Sequence, residues 1–223
     1  MKHCIADIKS QFDAIYEALL PSGFDKFMSD PKDYDQFREW RDVFYEYDWE
    51  SKLEIDIAGG CTRFVLVPRS GNYVFKIQYD FNKDIDYCAN EAAVYVAAEK
   101  EGVAEFFAWT ACIGVYGATH VYAMEKVEVD ENRNSDDSYI YHCEQWREEN
   151  GCDDDDEVDI CDYDDHDGMI EYAIAHNGDL MCKAARLLDS IGVNDLHCGN
   201  WGYRGDVFVL VDYGGYCTLL NLD

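Results

Sequence analysis

Basic residues are scarce in this sequence. Only 18 lysines and arginines stand against 47 aspartates and glutamates in 223 residues, which gives a net charge of −29. Nucleic-acid backbones and anionic membrane surfaces repel a chain of this charge. We therefore expect no nucleic-acid partner and no membrane partner. The charge remains compatible with binding a basic protein, with binding cations, or with mimicry of nucleic acid.

The sequence also lacks paired cysteines, a secretion signal and long apolar segments. Its ten cysteines form no C-x-x-C pair, which argues against a zinc ribbon. The opening residues, M-K-H-C-I-A-D, contain no apolar signal-peptide core, and no apolar run approaches the length of a membrane span. We expect a cytoplasmic protein with reduced thiols, most of them packed as small hydrophobic side chains.

Helical spacing of apolar residues predicts two helices in the first fifty residues, at 3–20 and 32–47. The side chains expected to be buried are Ile5, Ile8, Phe12, Ile15, Tyr16 and Leu19 in the first helix, and Tyr34, Phe37, Val43, Phe44 and Tyr47 in the second. We expect a helical hairpin that packs against the rest of the protein. A hairpin that binds a partner is the alternative.

The apolar period then changes to that of strands. An alanine-rich helix is predicted at 84–100, and a long helix at 168–191 ends at Gly192. The predicted strands, the first three of which form an antiparallel meander, are 53–57, 64–67, 73–77, 106–109, 112–115 and 120–124. The strongly acidic segment 130–168 is predicted to be a solvated insertion.

Two acids and an amide are grouped near the end of the sequence. In D-L-H-C-G-N, Asp195 precedes Asn200 by five residues, and Asp212 follows an apolar run, 207–211, that is typical of a buried strand. An amide and a carboxylate at adjacent strand ends can share a hard cation such as Mg²⁺, and the other acid can accept a proton. The alternative is an ordinary β-hairpin whose polar residues cap turns.

One lysine lies inside an apolar strand. Lys76, in V-F-K-I, has apolar neighbours on both sides, and a lysine that points inward there needs an anionic partner. Glu91 lies fifteen residues later, in the middle of the alanine-rich helix. The alternative is an edge-strand lysine and a solvated helix glutamate.

These motifs, in this order, resemble those of the protein-kinase-like superfamily. D-L-H-C-G-N followed by D-Y-G is similar to its catalytic loop and its metal-binding D-F-G segment, in the form found in bacterial and small-molecule kinases such as aminoglycoside and choline kinases. The resemblance implies an α+β, protein-kinase-like fold with a five-stranded antiparallel N-lobe sheet and a reduced helical C-lobe, preceded by the N-terminal helical hairpin. The implied domains are 1–50, 51–129 and 130–223.

The resemblance also implies roles for individual residues. Lys76, oriented by Glu91, would hold the phosphates of ATP, and Asp195 would orient or deprotonate the acceptor hydroxyl. Asn200 and Asp212 would bind Mg²⁺. The implied function is ATP- and Mg²⁺-dependent transfer of the γ-phosphate to a hydroxyl of a protein or a small molecule.

A nucleotide pocket is implied by two weaker matches. The segment A-G-G-C-T-R-F-V, 58–65, is similar to the glycine-rich loop, and M-E-K-V is similar to the hinge that binds adenine. Arg63 replaces the third glycine of the loop, where it either adds a positive charge or blocks the loop. The residues expected to contact the nucleotide are Gly59, Gly60, Val65, Val74, Met124, Glu125 and Val127.

The sequence departs from the family pattern in ways that keep two other functions open. Val193 and Asn194 replace the usual His-Arg before the catalytic acid, and we expect no activation segment after Gly215. A pseudokinase that uses its acidic surface to bind a basic protein is the first alternative. The second is an acidic mimic of nucleic acid, for which total charge matters and Asp212 does not.

Overall fold

The structure is a computed structural model that describes residues 3–29, 34–59, 62–78, 85–128, 166–193, 196 and 198–214. The protein is α+β, as predicted, and contains a five-stranded antiparallel sheet. Contacts divide the chain into two compact units, residues 1–92 with 109–126 and residues 93–108 with 127–223. The predicted acidic insertion lies outside the described residues as far as position 165. No helix in the described part of the chain is both long and apolar enough to cross a membrane.

The N-terminal region contains more helices than the predicted hairpin. They are α1 (Ile5–Leu19), α2 (Phe24–Ser29), α3 (Tyr34–Glu46) and α4 (Trp49–Leu53), with a 3₁₀ turn, Leu20–Ser22, after α1. The sequence predicted α1 and α3 but not α2 and α4, which are too short to show a helical period. Isolated helices of five or six residues are unstable in water, so packing must hold these two in place. In α2, Phe24, Phe27 and Met28 are all buried.

The sheet is built by strands close to those predicted. They are β1 (Ile55–Gly59), β2 (Arg63–Pro68), β3 (Tyr73–Gln78), β4 (Thr110–Tyr116) and β5 (Thr119–Glu125), in the order β1-β2-β3-β5-β4. Every neighbouring pair is antiparallel, which confirms the predicted meander of the first three strands. The predicted start of the first strand at Leu53 is wrong, because Leu53 ends α4 and β1 begins at Ile55.

One face of the sheet is covered by the N-terminal helices. Phe64, Leu66, Phe75 and Ile77 on this face are fully buried in one cluster with aromatic side chains from α1, α2 and α3. Phe37 stacks on Phe64 with ring centroids 4.8 Å apart. Burial of each such side chain contributes about 1.5–3 kcal/mol, so this cluster fixes the helices on the sheet. The expectation that these helices pack against the following part of the chain is confirmed.

Some side chains expected in the interior are exposed. Ile5 at the start of α1 is 41% exposed, and Tyr47, which lies between α3 and α4, is 57% exposed. Trp40 is buried instead, and its ring N–H donates to the Ser22 hydroxyl at 3.0 Å. Of Cys4, Cys88, Cys112 and Cys182 only Cys88 is buried, so the expectation that most thiols are packed inside is wrong for these four.

The second unit combines helices with a β-hairpin. Its described elements are the C-terminal part of α5 (Tyr87–Glu101), 3₁₀ turns at Ala104–Phe106 and Cys198–Asn200, α6 (His166–Asn177), α7 (Met181–Ile191), β6 (Trp201–Arg204) and β7 (Val207–Leu210). Strands β6 and β7 are antiparallel. Trp201 stacks on Phe208 at 4.9 Å, and both are buried. The Asn177 side chain at the end of α6 exchanges two hydrogen bonds with the Phe208 backbone, which anchors α6 to the hairpin.

Two predicted elements of this unit differ from the structure. The long helix expected at 168–191 is two helices, α6 and α7, separated at Gly178, whose φ of 83° lies in the left-handed region that favours glycine. Leu180, expected on the buried face, therefore lies outside both helices and is 45% exposed. The strand expected at 106–109 is a 3₁₀ turn followed by a single bridge between Phe107 and Leu210. The predicted helix end at Gly192 is confirmed.

Replacing Glu54 by glycine is expected to stabilise the protein. Glu54 follows α4 with φ of 53° and ψ of 46°, a left-handed conformation that costs a residue with a side chain about 1–2 kcal/mol. Glycine avoids this cost but loses more chain entropy, so the net gain should be about 0.5–1 kcal/mol. Thermal unfolding followed by circular dichroism should show a midpoint about 1–4 °C higher. Ser51→Gly inside α4 is the control and should lower it; a lower midpoint for Glu54→Gly would contradict the expectation.

Candidate functional site

The sheet face opposite the N-terminal helices carries Lys76 and three of the residues expected to contact the nucleotide. Val65 pairs directly with Lys76 across β2 and β3, and Val74 pairs with Met124 across β3 and β5. Residues that pair directly in an antiparallel sheet point to the same face, and so do residues two apart on one strand. Val65, Val74, Lys76 and Met124 therefore share one face, as the resemblance requires.

Glu91 forms a buried ion pair with Lys76 in the first unit. The Lys76 ammonium donates to both carboxylate oxygens of Glu91, at 2.9 and 3.1 Å. Glu91 is fully buried and Lys76 is 5% exposed. The pair expected from the sequence is therefore present. The role of Lys76 in holding phosphates stays a prediction.

A second cation, Arg63, contacts the same carboxylate. This contact was not predicted from the sequence. An Nη nitrogen of Arg63 lies 3.1 Å from the Glu91 Oε1 that also accepts from Lys76, and Arg63 is 8% exposed. Of the two possibilities considered for Arg63, adding charge in the loop or blocking it, neither describes this contact. We call Arg63, Lys76 and Glu91 the Glu91 cluster.

The strand register contains a signal that would have found Arg63. Arg63 pairs with Gln78, which lies two residues after Lys76 on β3. Both cations must therefore project from the same face of the sheet, on neighbouring strands. A sequence pattern cannot supply this register by itself, because the length of the turn between β2 and β3 decides it.

The start of α5 is tied to the same sheet face. The Gln78 side chain accepts from the Tyr87 backbone N–H and donates to the Ile85 carbonyl, both at 2.6 Å. Asp86 caps the helix by accepting from the Ala89 N–H at 2.8 Å. Tyr122 on β5 donates to the other oxygen of Asp86 at 3.4 Å. Side chains from β3 and β5 thus position the helix that carries Glu91.

The surroundings of the Glu91 cluster are poorly hydrated. Cys88 lies one turn before Glu91 and is completely buried, and this burial raises the pKa of its thiol to about 12. Burial, with the Asp86 carboxylate nearby, also raises the pKa of Tyr122. In such a medium opposite charges attract strongly, and a charge without a partner is costly. Each cation of the cluster therefore matters for stability.

The hinge residues lie at the end of β5 and just beyond it. Met124 is buried and Glu125 is half-buried. The Glu125 backbone N–H donates to the Trp109 carbonyl at 2.7 Å. Because this N–H is already used, the Glu125 backbone carbonyl is the group that would bind adenine. Val127, two residues later, is half-buried and belongs to the second unit.

Two residues with predicted roles lie outside the described part of the chain. Gly60, which follows β1 in the sequence, and Asp195, the proposed catalytic acid, are not among the described residues. Gly59 is described as the exposed last residue of β1, where it pairs with Phe64. The catalytic role of Asp195 and the phosphate contacts of the loop therefore stay predictions.

Asn200 and Asp212, the two residues expected to bind metal, are joined by a backbone hydrogen bond at the open end of the β6–β7 hairpin. Asn200 immediately precedes β6 and is 4% exposed, and Asp212 follows β7 and is half-buried. The main-chain carbonyl oxygen of Asn200 accepts from the backbone N–H groups of Val211 and Asp212, at 2.7 and 3.3 Å. Next to them Tyr213 is fully buried, and its hydroxyl donates to the Ala108 carbonyl at 2.6 Å. The predicted placement of Asn200 and Asp212 at the mouth of a hairpin is confirmed.

The donor types at this hairpin suit Mg²⁺. An amide and a carboxylate provide oxygen ligands, and Mg²⁺ usually takes one or two protein ligands and completes its shell with water and substrate phosphates. Within the described ranges no group of three or more His, Cys, Asp or Glu side chains could hold a metal ion by itself. A two-ligand site shared with a phosphate substrate is therefore the kind of metal site that these residues can form.

Comparison with known proteins identifies no relatives: no protein-family model, no curated protein and no solved structure matches this chain.

Proposed function

We propose that the protein is an ATP- and Mg²⁺-dependent phosphotransferase with a protein-kinase-like fold. The observation that carries the proposal is the buried ion pair between Lys76 on β3 and Glu91 on α5, fifteen residues apart. A buried lysine is costly without an anionic partner; Glu91 is that partner here, and an ammonium held in this way can also donate charge-assisted hydrogen bonds to a phosphate. The order of motifs along the sequence supports the same function.

In this proposal residues of the first unit, together with Val127, bind the nucleotide. Lys76, oriented by Glu91, holds the phosphates of ATP. Val65, Val74 and Met124 offer an apolar surface on the same face to the adenine ring. Backbone groups of Glu125 and Val127 bind the edge of the base, and Gly59 and Gly60 let the chain approach the phosphates closely.

The second unit supplies the metal ligands and the base. Asn200 and Asp212 hold Mg²⁺, which when bound neutralises charge on the phosphate oxygens. Asp195 accepts the proton of the acceptor hydroxyl as the oxygen of that hydroxyl bonds to the γ-phosphorus. The bond between that phosphorus and the β–γ bridging oxygen breaks, and ADP leaves with the electron pair. Catalysis is then mainly positioning and charge neutralisation.

Calorimetric titration of the full chain with ATP, with and without Mg²⁺, tests the proposal. Wild type should bind ATP in Mg²⁺ with a dissociation constant between about 1 μM and 1 mM, the usual range for an enzyme substrate. Chelation of Mg²⁺ should weaken binding by at least about tenfold, since two protein ligands and the metal act together. Titration with adenosine is the control for binding of the base alone. Absence of ATP binding in Mg²⁺ would end the phosphotransferase proposal.

A pseudokinase is the second candidate, and the contact of Arg63 with Glu91 favours it. An arginine at the position of the third glycine of a phosphate loop, committed to Glu91, departs from the family pattern. In this version the protein binds a basic partner through its charge of −29. Failure of wild type to bind Mg²⁺-ATP, together with salt-sensitive binding to a basic protein such as a histone, would favour this candidate.

A further inference from the structure

Glu91 accepts from two cations that come from different strands. Lys76 on β3 bridges both carboxylate oxygens, and Arg63 at the start of β2 contacts Oε1 at 3.1 Å. Lys76 alone would be sufficient to neutralise one carboxylate. The second cation therefore needs a physical reason, because burying a guanidinium is costly in itself.

The reason lies in what happens to Glu91 when Lys76 binds something else. A phosphate group that approaches the Lys76 ammonium competes with Glu91 for its hydrogen bonds, since an ammonium has only three donors. Glu91 is fully buried, so water cannot compensate for a weakened contact. With Lys76 as its sole counter-ion, the carboxylate would resist this change, because a buried charge that loses its partner is strongly destabilising.

Arg63 is suited to the part of a second counter-ion. Its guanidinium is always charged, and its flat array of donors can bind a carboxylate through two parallel hydrogen bonds. It stands on the strand next to Lys76 and projects from the same face, so both cations contact the Glu91 carboxylate at the same time.

We propose that Arg63 is a positioning residue, a second counter-ion that keeps the buried Glu91 carboxylate neutralised while Lys76 turns to the phosphates of a bound nucleotide. The ligand in this statement rests on the proposed function. The ability of either cation alone to neutralise Glu91 is a property of the protein and can be tested without any ligand.

A double-mutant cycle on the full chain tests whether either cation alone can neutralise Glu91. Lys76→Met and Arg63→Met should each lower the midpoint of thermal unfolding modestly, since the remaining cation still neutralises Glu91. The double variant should lose about 5 °C more than the sum of the two, or fail to fold while both single variants fold. Lys76→Met combined with Arg69→Met is the matched control, because Arg69 pairs with Glu50 and Asp56 and not with Glu91. This control should be additive within about 2 °C.

Calorimetry with Mg²⁺-ATP tests the consequence for Lys76. Arg63→Met should weaken ATP binding about tenfold, and Arg63→Lys should restore most of the loss because it keeps the charge. Additive losses in the cycle, failure of either single variant to fold, or unchanged ATP affinity in Arg63→Met would each overturn the proposal. If wild type binds no ATP, the phosphotransferase proposal fails, and the cycle alone decides whether Arg63 is the second counter-ion.

Discussion

Replacing Asp212 by alanine is expected to abolish Mg²⁺-dependent ATP binding, with a loss of affinity of at least about 100-fold, or about 2.7 kcal/mol. The proposed metal site has only two protein ligands, Asn200 and Asp212, and Asp212 supplies its only negative charge. Without that charge the metal would depend on an amide oxygen and on the phosphates. Calorimetric titration of wild type and Asp212→Ala, each with and without Mg²⁺, measures the effect.

Two controls separate a lost ligand from a damaged fold. Asp206→Ala removes an exposed acid from the turn of the same hairpin and should leave ATP affinity unchanged. Asp212→Asn keeps the size of the side chain and should still lose most of the Mg²⁺ dependence. If Asp212→Ala bound Mg²⁺-ATP as tightly as wild type, Asp212 would not be a metal ligand. A function that depends on total charge alone, such as mimicry of nucleic acid, would then gain support.

Glu91→Ala should be the most destabilising of the single substitutions considered. It removes the carboxylate that both Lys76 and Arg63 contact, and leaves two buried cations near a completely buried thiol. Loss of one partner of a buried ion pair costs about 3–5 kcal/mol. For a protein of this size this corresponds to a thermal midpoint lower by about 6–20 °C.

Differential scanning calorimetry measures this loss, and the same helix provides the control. Glu99→Ala removes an exposed glutamate from α5 and should change stability by less than about 0.5 kcal/mol. Glu91→Gln should be milder than Glu91→Ala, because the amide oxygen can still accept hydrogen bonds from both cations. Equal stability of Glu91→Ala and Glu99→Ala would show that the Glu91 cluster contributes little to the fold.

The parts of the fold that the sequence predicts well are those with a clear local pattern. Strands β2 and β3 lie close to their predicted positions because each is a mainly apolar run bounded by turn residues, and α1 and α3 because a helical period of apolar residues repeats along them. Helices α2 and α4 were missed, since five or six residues are too few for that signal. The break at Gly178 was missed for the opposite reason, because the apolar pattern runs through it.

In the candidate site, too, some contacts follow from a local pattern and others do not. The local sequence alone predicts that Lys76 needs an anion, because a lysine within an apolar strand is costly without one, and the resemblance supplied Glu91 as that anion. Arg63 was missed because its contact with Glu91 depends on the register of β2 against β3, which no local pattern records. The backbone proximity of Asn200 and Asp212 was predictable because these residues flank a single hairpin.

By itself the sequence determined the strand and helix periods, the strong negative charge, and the need of Lys76 for a buried acid. These are properties of neighbouring residues, and local chemistry is enough to fix them. Only the tertiary structure decided which sheet face the N-terminal helices cover, and that Arg63 shares Glu91 with Lys76. Those outcomes depend on how distant segments align, and the alignment is set by the packing of the whole unit rather than by any one segment.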